Sequence, residues 1–351
     1  MVQSKSVIVN SVPNGFPVPG ENIIVRTDEV DISKAPEGGL VLKVLYVSVD
    51  PYMRGRMRDP SIQSYSPAYP LGQPIEGGGV SKVIESGHPD FKKGDIITGL
   101  TVHSEYVVYS AEKTKTSFLR IVDNPYNLPL QRFTGALGMP GLTAYSSLYE
   151  IGELHKNEKE TIFISAASGA VGSLVGQLAK REGLRVVGSA GSDEKVKYLI
   201  DKLGFDAAFN YKKEPVKEAL TKYIPEGLDI YYDNVGGETL EAALDNAKPF
   251  ARFIECGMIS QYNRKQGEDA YGIKNLMFIV TKKLKIQGFI VGDIAAKYMT
   301  DFHKNVSEWL NDGSIHYAED VTEGIDNEAE GFVRMLRGKN FGKAVIKYAD
   351  A

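Results

Sequence analysis

Residues 161–180 constrain the fold of this chain more than any other stretch. Thr161-Ile162-Phe163-Ile164-Ser165-Ala166 is an apolar run of the buried-strand kind, and Ala167-Ser168-Gly169-Ala170-Val171-Gly172 follows it directly. That hexapeptide is the G-x-G-x-x-G pattern with alanine in its first slot. Beyond it, Val171, Leu174, Val175 and Leu178 stand at i, i+3, i+4 and i+7, one face of a helix. Strand, glycine turn and helix in this order predict the entry of a dinucleotide-binding βα unit. Gly169 lets the backbone approach a pyrophosphate, and Gly172 or Gly176 permits close helix–strand packing. Open N–H groups at the helix start then hold the phosphates. The cofactor residues read here are Ala166, Ala167, Ser168, Gly169, Ala170, Val171 and Gly172. The bland alternative is a tight turn without a ligand, and the alternating pattern around the motif weighs against it.

Six β runs, at 161–166, 185–190, 207–211, 228–233, 252–257 and 284–291, alternate with helix-length segments. That is the count of a complete doubly wound parallel sheet, so the fold class is α/β with a central Rossmann domain. Residues before about 130 differ. Runs at 40–49, 77–85, 91–99 and 105–109 are short and separated by turn signals, which predicts a small β-rich barrel or sandwich. The tail at 342–347 is again strand-like and is expected to rejoin the β-rich domain. The expected division is 1–131, 132–310 and 311–351.

Composition narrows the chemistry. A net charge of −4 shows no basic excess, so nucleic acid is not an expected partner. No run reaches the roughly 18 apolar residues of a membrane span. Cys256 is the single cysteine, so no internal disulfide can form. These features, with no apolar leader, fit a cytoplasmic protein. The five histidines (His88, His103, His155, His303 and His316) are scattered and read as exposed, so no metal site is expected. Arg54, Arg56 and Arg58 read as a solvated basic loop.

The second strand of the sheet ends in Ala190-Gly191-Ser192, without the acid that usually meets an NAD ribose. Ser192 and Lys195 suit a 2′-phosphate, whereas Asp193 and Glu194 argue against one. The residues favour NADP and leave NAD open.

Several stretches together resemble the zinc-free medium-chain dehydrogenase/reductase superfamily. Within it the chain is similar to the leukotriene/prostaglandin reductase branch, which includes the plant alkenal double-bond reductases. The matching stretches are Asp50-Pro51-Tyr52-Met53-Arg54-Gly55-Arg56-Met57, Gly138-Met139-Pro140-Gly141-Leu142-Thr143-Ala144-Tyr145 and residues 166–180. Tyr232-Asp233-Asn234-Val235-Gly236-Gly237, Cys256-Gly257-Met258-Ile259-Ser260-Gln261-Tyr262-Asn263 and Gly338-Lys339-Asn340-Phe341-Gly342-Lys343 match as well. The resemblance implies a GroES-like catalytic domain, made of the N-terminal part and the tail, beside the Rossmann domain. It implies NADPH, with Gly191, Lys195 and Tyr211 at the 2′-phosphate end. Asn234, Cys256 and Tyr262 would lie along the cofactor, Phe289, Ile290 and Val291 at the nicotinamide, and Asn340 would reach it from the tail. Tyr52 and Tyr262 match the tyrosines that face substrate in the plant members. A homodimer is implied too.

The expected reaction is reduction of a C=C bond conjugated to a carbonyl, in an enal or enone. Hydride reaches the β-carbon, and the enolate oxygen is stabilised by Tyr262 together with the cofactor ribose. The scarcity of zinc ligands turns the expectation away from alcohol oxidation. Tyr52 and the loop 65–69 are expected to wall an apolar pocket. Cys256 reads as a packing residue and not a nucleophile. Two alternatives stand: a quinone reductase of the same superfamily, and an NADPH-binding protein without turnover.

Overall fold

Turn residues at close intervals break the first part of the chain into short strands, as their spacing predicts. The computed structural model describes residues 1–154 and 159–351, so His155 lies outside the described residues. Two compact units result, one of residues 1–138 with 319–351, the other of residues 139–318.

The first unit opens with β1 (Val2–Val9) and β2 (Ile23–Val30), an antiparallel pair. Then come β3 (Leu40–Ser48), the one-turn helix α1 (Tyr52–Arg56), β4 (Glu76–Ser86), β5 (Ile96–Val102) and β6 (Tyr106–Tyr109). Helix α2 (Ala111–Thr116) and β7 (Arg120–Ile121) end this part. β3 is buried along almost its whole length because β4 and β6 both pair with it.

In the second unit, helix α3 (Met139–Ile151) precedes a regular alternation. It runs β8 (Thr161–Ile164), α4 (Gly172–Arg181), β9 (Arg185–Ala190), α5 (Asp193–Asp201), β10 (Ala207–Asn210) and α6 (Val216–Tyr223). It continues through β11 (Leu228–Asp233), α7 (Gly237–Asn246), β12 (Ala247–Glu255), the short α8 (Met277–Thr281) and β13 (Lys285–Gly288). Helices α9 (Val291–Ile294) and α10 (Met299–Asn311) close the unit. The six strands are all parallel, in the order β10-β9-β8-β11-β12-β13. That is the doubly wound order, reversing between β8 and β11.

Close helix–sheet packing has a definite cause. A Cβ on Gly172 would stand 2.7 Å from the Ala166 carbonyl oxygen, and one on Gly176 would fall 2.1 Å from the Phe205 ring. Both glycines are therefore needed, where the sequence reading asked for one. Leu174, Val175 and Leu178 are fully buried, each burial being worth about 1.5–3 kcal/mol. The last strand run is shorter than expected. It stops at Gly288, so Phe289 and Ile290 form a loop and Val291 starts a helix.

The tail supplies β14 (Glu319–Glu323), α11 (Glu328–Leu336) and β15 (Lys343–Lys347). β15 pairs antiparallel with β3 and parallel with β14, giving the sheet order β14-β15-β3-β4-β5-β7 with β6 also on β3.

Candidate cofactor and active site

Parallel strands send every β-to-α loop to one edge of their sheet. Here that edge gathers the residues 166–171 after β8, Gly191 and Ser192 after β9, and Tyr211 after β10. It also gathers Asn234 to Gly236 after β11, Cys256 and Gly257 after β12, and Phe289 and Ile290 after β13. The cofactor residues read from the sequence in this unit thus stand on the carboxyl edge or at the first turn of the helix beyond it, except Tyr262, which follows a 3₁₀ turn after β12.

The turn after β8 is a cradle for an anion. Ala166 sits at φ 47°, the left-handed region, which costs a non-glycine residue about 1–2 kcal/mol. Its carbonyl accepts from the Gly169 amide at 3.0 Å. Among the described residues, the amides of Ser168, Ala170 and Val171 donate to no protein acceptor. Three open N–H groups at the start of a ten-residue helix suit a pyrophosphate. A Cβ on Gly169 would press to 3.2 Å of the Ala166 oxygen, closing the space.

At the next loop, Ser192 caps α5, its Oγ accepting from the Lys195 amide at 3.3 Å. The Asp193 carboxylate, which weighed against a phosphate, is turned to Asn210 Nδ2 at 2.8 Å and to Lys213. Tyr211 lies over Gly191, whose Cβ would stand 3.1 Å from the phenol oxygen. Lys212 Nζ is 5.9 Å from the Tyr211 ring centre. Tyr211 thus borders Gly191, with Ser192 next in sequence, Lys195 in the first turn of α5 and Lys212 beside Tyr211, and of the two acids that weighed against a phosphate Asp193 is engaged.

The reversal of strand order is laced by Ser165, which the sequence reading did not single out. Its Oγ accepts from the Asn234 amide at 2.9 Å, and its carbonyl accepts from Asn234 Nδ2 at 2.8 Å. Asp233 beneath is fully buried. Its Oδ1 accepts from Tyr231 Oη and the Val235 amide at 2.7 Å, the Gly236 amide at 2.8 Å and Ser165 Oγ at 3.2 Å. Its carbonyl accepts from the amides of Cys256 and Gly257 at 2.9 and 3.0 Å. Burial pushes the Cys256 thiol up to about 12, so it is no thiolate nucleophile. Tyr262 follows a short 3₁₀ turn (Ile259–Gln261), and its phenol oxygen accepts from the Met258 amide at 3.1 Å. It lies over Gly257, whose Cβ would come to 2.9 Å of that oxygen.

Tyr52 and Asn340 belong to the β-rich unit. Tyr52 begins α1, packs on the β core, and burial holds its phenol well above its ordinary range. Asn340 donates to the Gly342 carbonyl at 2.7 Å. Before Tyr52, Asp50 faces Lys343 of β15 at 3.1 Å and accepts from Ser48. Lys343 is 1% exposed and also donates to the carbonyls of Val49 and Ala344 at 2.9 and 2.7 Å.

Two expectations are corrected in this unit, for the arginine loop and for His103. Arg54 is buried, donating to the carbonyls of Gly15 at 2.8 Å and Pro13 at 3.2 Å. Arg56 covers the Tyr69 ring at 4.0 Å, and Arg58 straps the loop through Gly55, Ile62 and Ser66. These arginines shape loops by carbonyl contacts. Tyr69 is a core residue bonded to the Glu76 carbonyl at 2.5 Å, while Tyr65 is exposed, and both lie close enough to Tyr52 to act on its phenol. His103, expected at the surface, is fully buried with Nδ1 2.5 Å from Glu328. Among the described residues, no three His, Cys, Asp or Glu converge as metal ligands.

Residues 5–117 match the family described as N-terminal domain of oxidoreductase, and residues 170–311 match the one described as zinc-binding dehydrogenase. Over its whole length the chain is 52% identical to the NADP-dependent oxidoreductase RED1 of Cochliobolus heterostrophus, covering 99% of that protein. The chain belongs to the medium-chain dehydrogenase/reductase superfamily, in its zinc-free alkenal reductase branch. Another superfamily member, the 2-alkenal reductase (NADP(+)-dependent) of Nicotiana tabacum, is 44% identical over 98% of this chain and 97% of its own. The crystal structure of CurA in complex with NADPH from Vibrio vulnificus superposes with a TM-score of 0.90, at 34% identity, over 99% of this chain and 100% of that one. Within the span that carries the zinc-binding description, this superfamily member has one cysteine, Cys256, and one histidine, His303.

Proposed function

We propose that this protein reduces the C=C bond of α,β-unsaturated aldehydes and ketones with NADPH. The observation that carries the reading is the open cradle at Ser168, Ala170 and Val171, with Gly191, Ser192, Lys195 and Tyr211 on the adjoining loops. The tobacco 2-alkenal reductase and the RED1 oxidoreductase, similar over almost the whole chain, support the redox chemistry and the choice of NADP. The cradle at 166–172 takes the pyrophosphate, and Lys195 and Tyr211 take the 2′-phosphate. Asn234, Cys256, Phe289, Ile290 and Val291 border the rest of the cofactor. When bound, NADPH supplies the hydride that goes to the substrate β-carbon.

Tyr262 donates to the substrate oxygen as negative charge builds there. The Met258 amide on its phenol oxygen draws electron density away from the O–H bond and strengthens that donor. At neutral pH a tyrosine is uncharged, with a reference pKa near 10. It therefore favours the charged enolate over the neutral ground state. Tyr52 and Asn340 take their substrate and cofactor roles from the family resemblance alone. The homodimer is assigned to β13, the edge of the six-stranded sheet. All four of its residues are exposed, and Leu276, Met277 and Val280 lie exposed before it.

The test follows NADPH absorbance with an enal, an aryl enone and a quinone, with NADH as the control. Enal and enone turnover well above quinone turnover is expected, and the reverse order makes the protein a quinone reductase. Equal rates with NADH remove the Lys195 assignment. Tyr262→Phe should lower kcat by about 100-fold, and an unchanged kcat ends its role as donor.

A further inference from the structure

Two acids at the carboxyl edge take no part in the chemistry above. Asp233 ends β11 and Glu255 ends β12, and they are direct cross-strand partners. Their side chains therefore leave the same face of the sheet, close together. Asp233 Oδ1 collects four donors, as described above. Its Oδ2 and both oxygens of Glu255 are shut off from solvent and meet no N–H or hydroxyl donor of another side chain or of the backbone among the described residues. Among the described residues no ion pair joins either acid to a cation, and the main groups acting on Asp233 are the Tyr231 hydroxyl, the Val235 and Gly236 amides and Glu255 itself. Asp233 is the charged group acting on Glu255. The Tyr231 phenol and the Cys256 thiol also act on both acids, and burial holds both in their neutral forms.

Two carboxyl groups in contact, buried and without a cation, cannot both ionise. The four donors on Asp233 Oδ1 favour its charge, so the proton falls to Glu255. We infer that Asp233 and Glu255 hold one proton between them, on Glu255 and directed at Asp233 Oδ2, and that this pair positions the two cofactor loops at 234–236 and 256–257. The linkage is direct. Asp233 fixes the first loop through its carboxylate and the second through its main-chain carbonyl. Glu255 fixes Asp233. Burial, with the Asp233 charge beside it, pushes Glu255 up to about 9. Above that pH a second negative charge enters the same buried space, the pair separates, and both loops loosen. Glu255 is thus a positioning residue that makes cofactor affinity fall in alkali.

The inference rests on the assignment of these loops to NADPH, and three measurements keep the two ideas apart. Infrared spectra of the cofactor-free protein should show the C=O stretch of a buried, protonated carboxyl group at pH 7. It should disappear on titration with a midpoint near 9 and be missing in Glu255→Gln. Absence of the band in the wild type, or its persistence in that variant, overturns the shared proton. NADPH affinity should weaken about tenfold from pH 7 to pH 10 in the wild type, and Glu255→Gln, which keeps a neutral donor, should abolish that loss. Glu255→Ala should bind more weakly throughout. An equal pH dependence in wild type and Glu255→Gln overturns the positioning role. If Asn234→Ala binds NADPH as the wild type does, the cofactor assignment of the loop fails, and the positioning role fails with it. The carboxyl band would then still report whether the proton is shared.

Discussion

Each unit buries a pair of ionisable groups under a loop that carries proposed site residues, and the two pairs are built on opposite principles. In the β-rich unit, Lys343 and Asp50 face each other beneath Tyr52, a cation against an anion. In the nucleotide-binding unit, Asp233 and Glu255 lie beneath Asn234, an acid against an acid. The first pair cancels its charge, and spare Lys343 protons go to main-chain carbonyls. The second retains one negative charge and uses a proton where the first uses an ammonium. A buried ion pair fixes geometry and is costly to break. A shared proton also fixes geometry, but it can be titrated away.

The contrast can be broken most severely at Lys343. Lys343→Met leaves Asp50 buried without its cation and should cost about 3–5 kcal/mol of stability, read as a lower urea midpoint. Asp50→Asn together with Lys343→Met should recover part of that loss, because no lone charge remains. A double variant no more stable than the single one would show that the pair is not the source.

An effect that is smaller at each step of pH, and spread over several units, should sharpen the other side. Glu255 titrates near 9 in the folded protein and near 4.3 when unfolded. The folded state therefore binds more protons between those values, and stability must fall as pH rises through that window. The slope is at most about 1.4 kcal/mol per pH unit. Wild-type stability measured against Glu255→Gln should decline from pH 5 to pH 9, and parallel curves would remove the raised acid. The smallest effect is expected outside both pairs. Ser192→Ala removes the α5 cap and should cost about 1 kcal/mol, with no change in the pH dependence.

The same contrast marks what could be read from the sequence. Strands β8 to β12 of the parallel sheet were legible because their buried stretches are apolar runs between turn signals, whereas β13, exposed at all four residues, was read too long. β2 and β14 were not legible, since Ile23–Val30 is half polar and Glu319–Glu323 is mostly polar, and neighbouring segments hold both in place. The glycine cradle was legible because its constraint is local: a tight turn, open amides and a helix start. Both buried pairs were invisible, since strand register alone brings Asp233 to Glu255 and Lys343 to Asp50. His103 and Arg54 were misplaced at the surface for that reason. Each is buried only because distant segments supply its partners, Glu328 for the one and the carbonyls of Pro13 and Gly15 for the other. Tyr52 and Tyr262 stood out only through likeness to known reductases, because two tyrosines among 19 carry no signal of their own.

The position of β15 also bears on the order in which the protein is made. Lys343 is synthesised 294 residues after Val49, whose carbonyl it binds. At about 5–20 residues per second, that delay is roughly 15–60 s on the ribosome. The nucleotide-binding unit is continuous in sequence, so all its strands emerge within that interval and it can close first. Throughout the same interval β3 lacks its β15 neighbour and Asp50 lacks its cation. The β-rich unit thus waits as an open sheet edge, and a chaperone has most reason to attend to this protein at that stage of its synthesis.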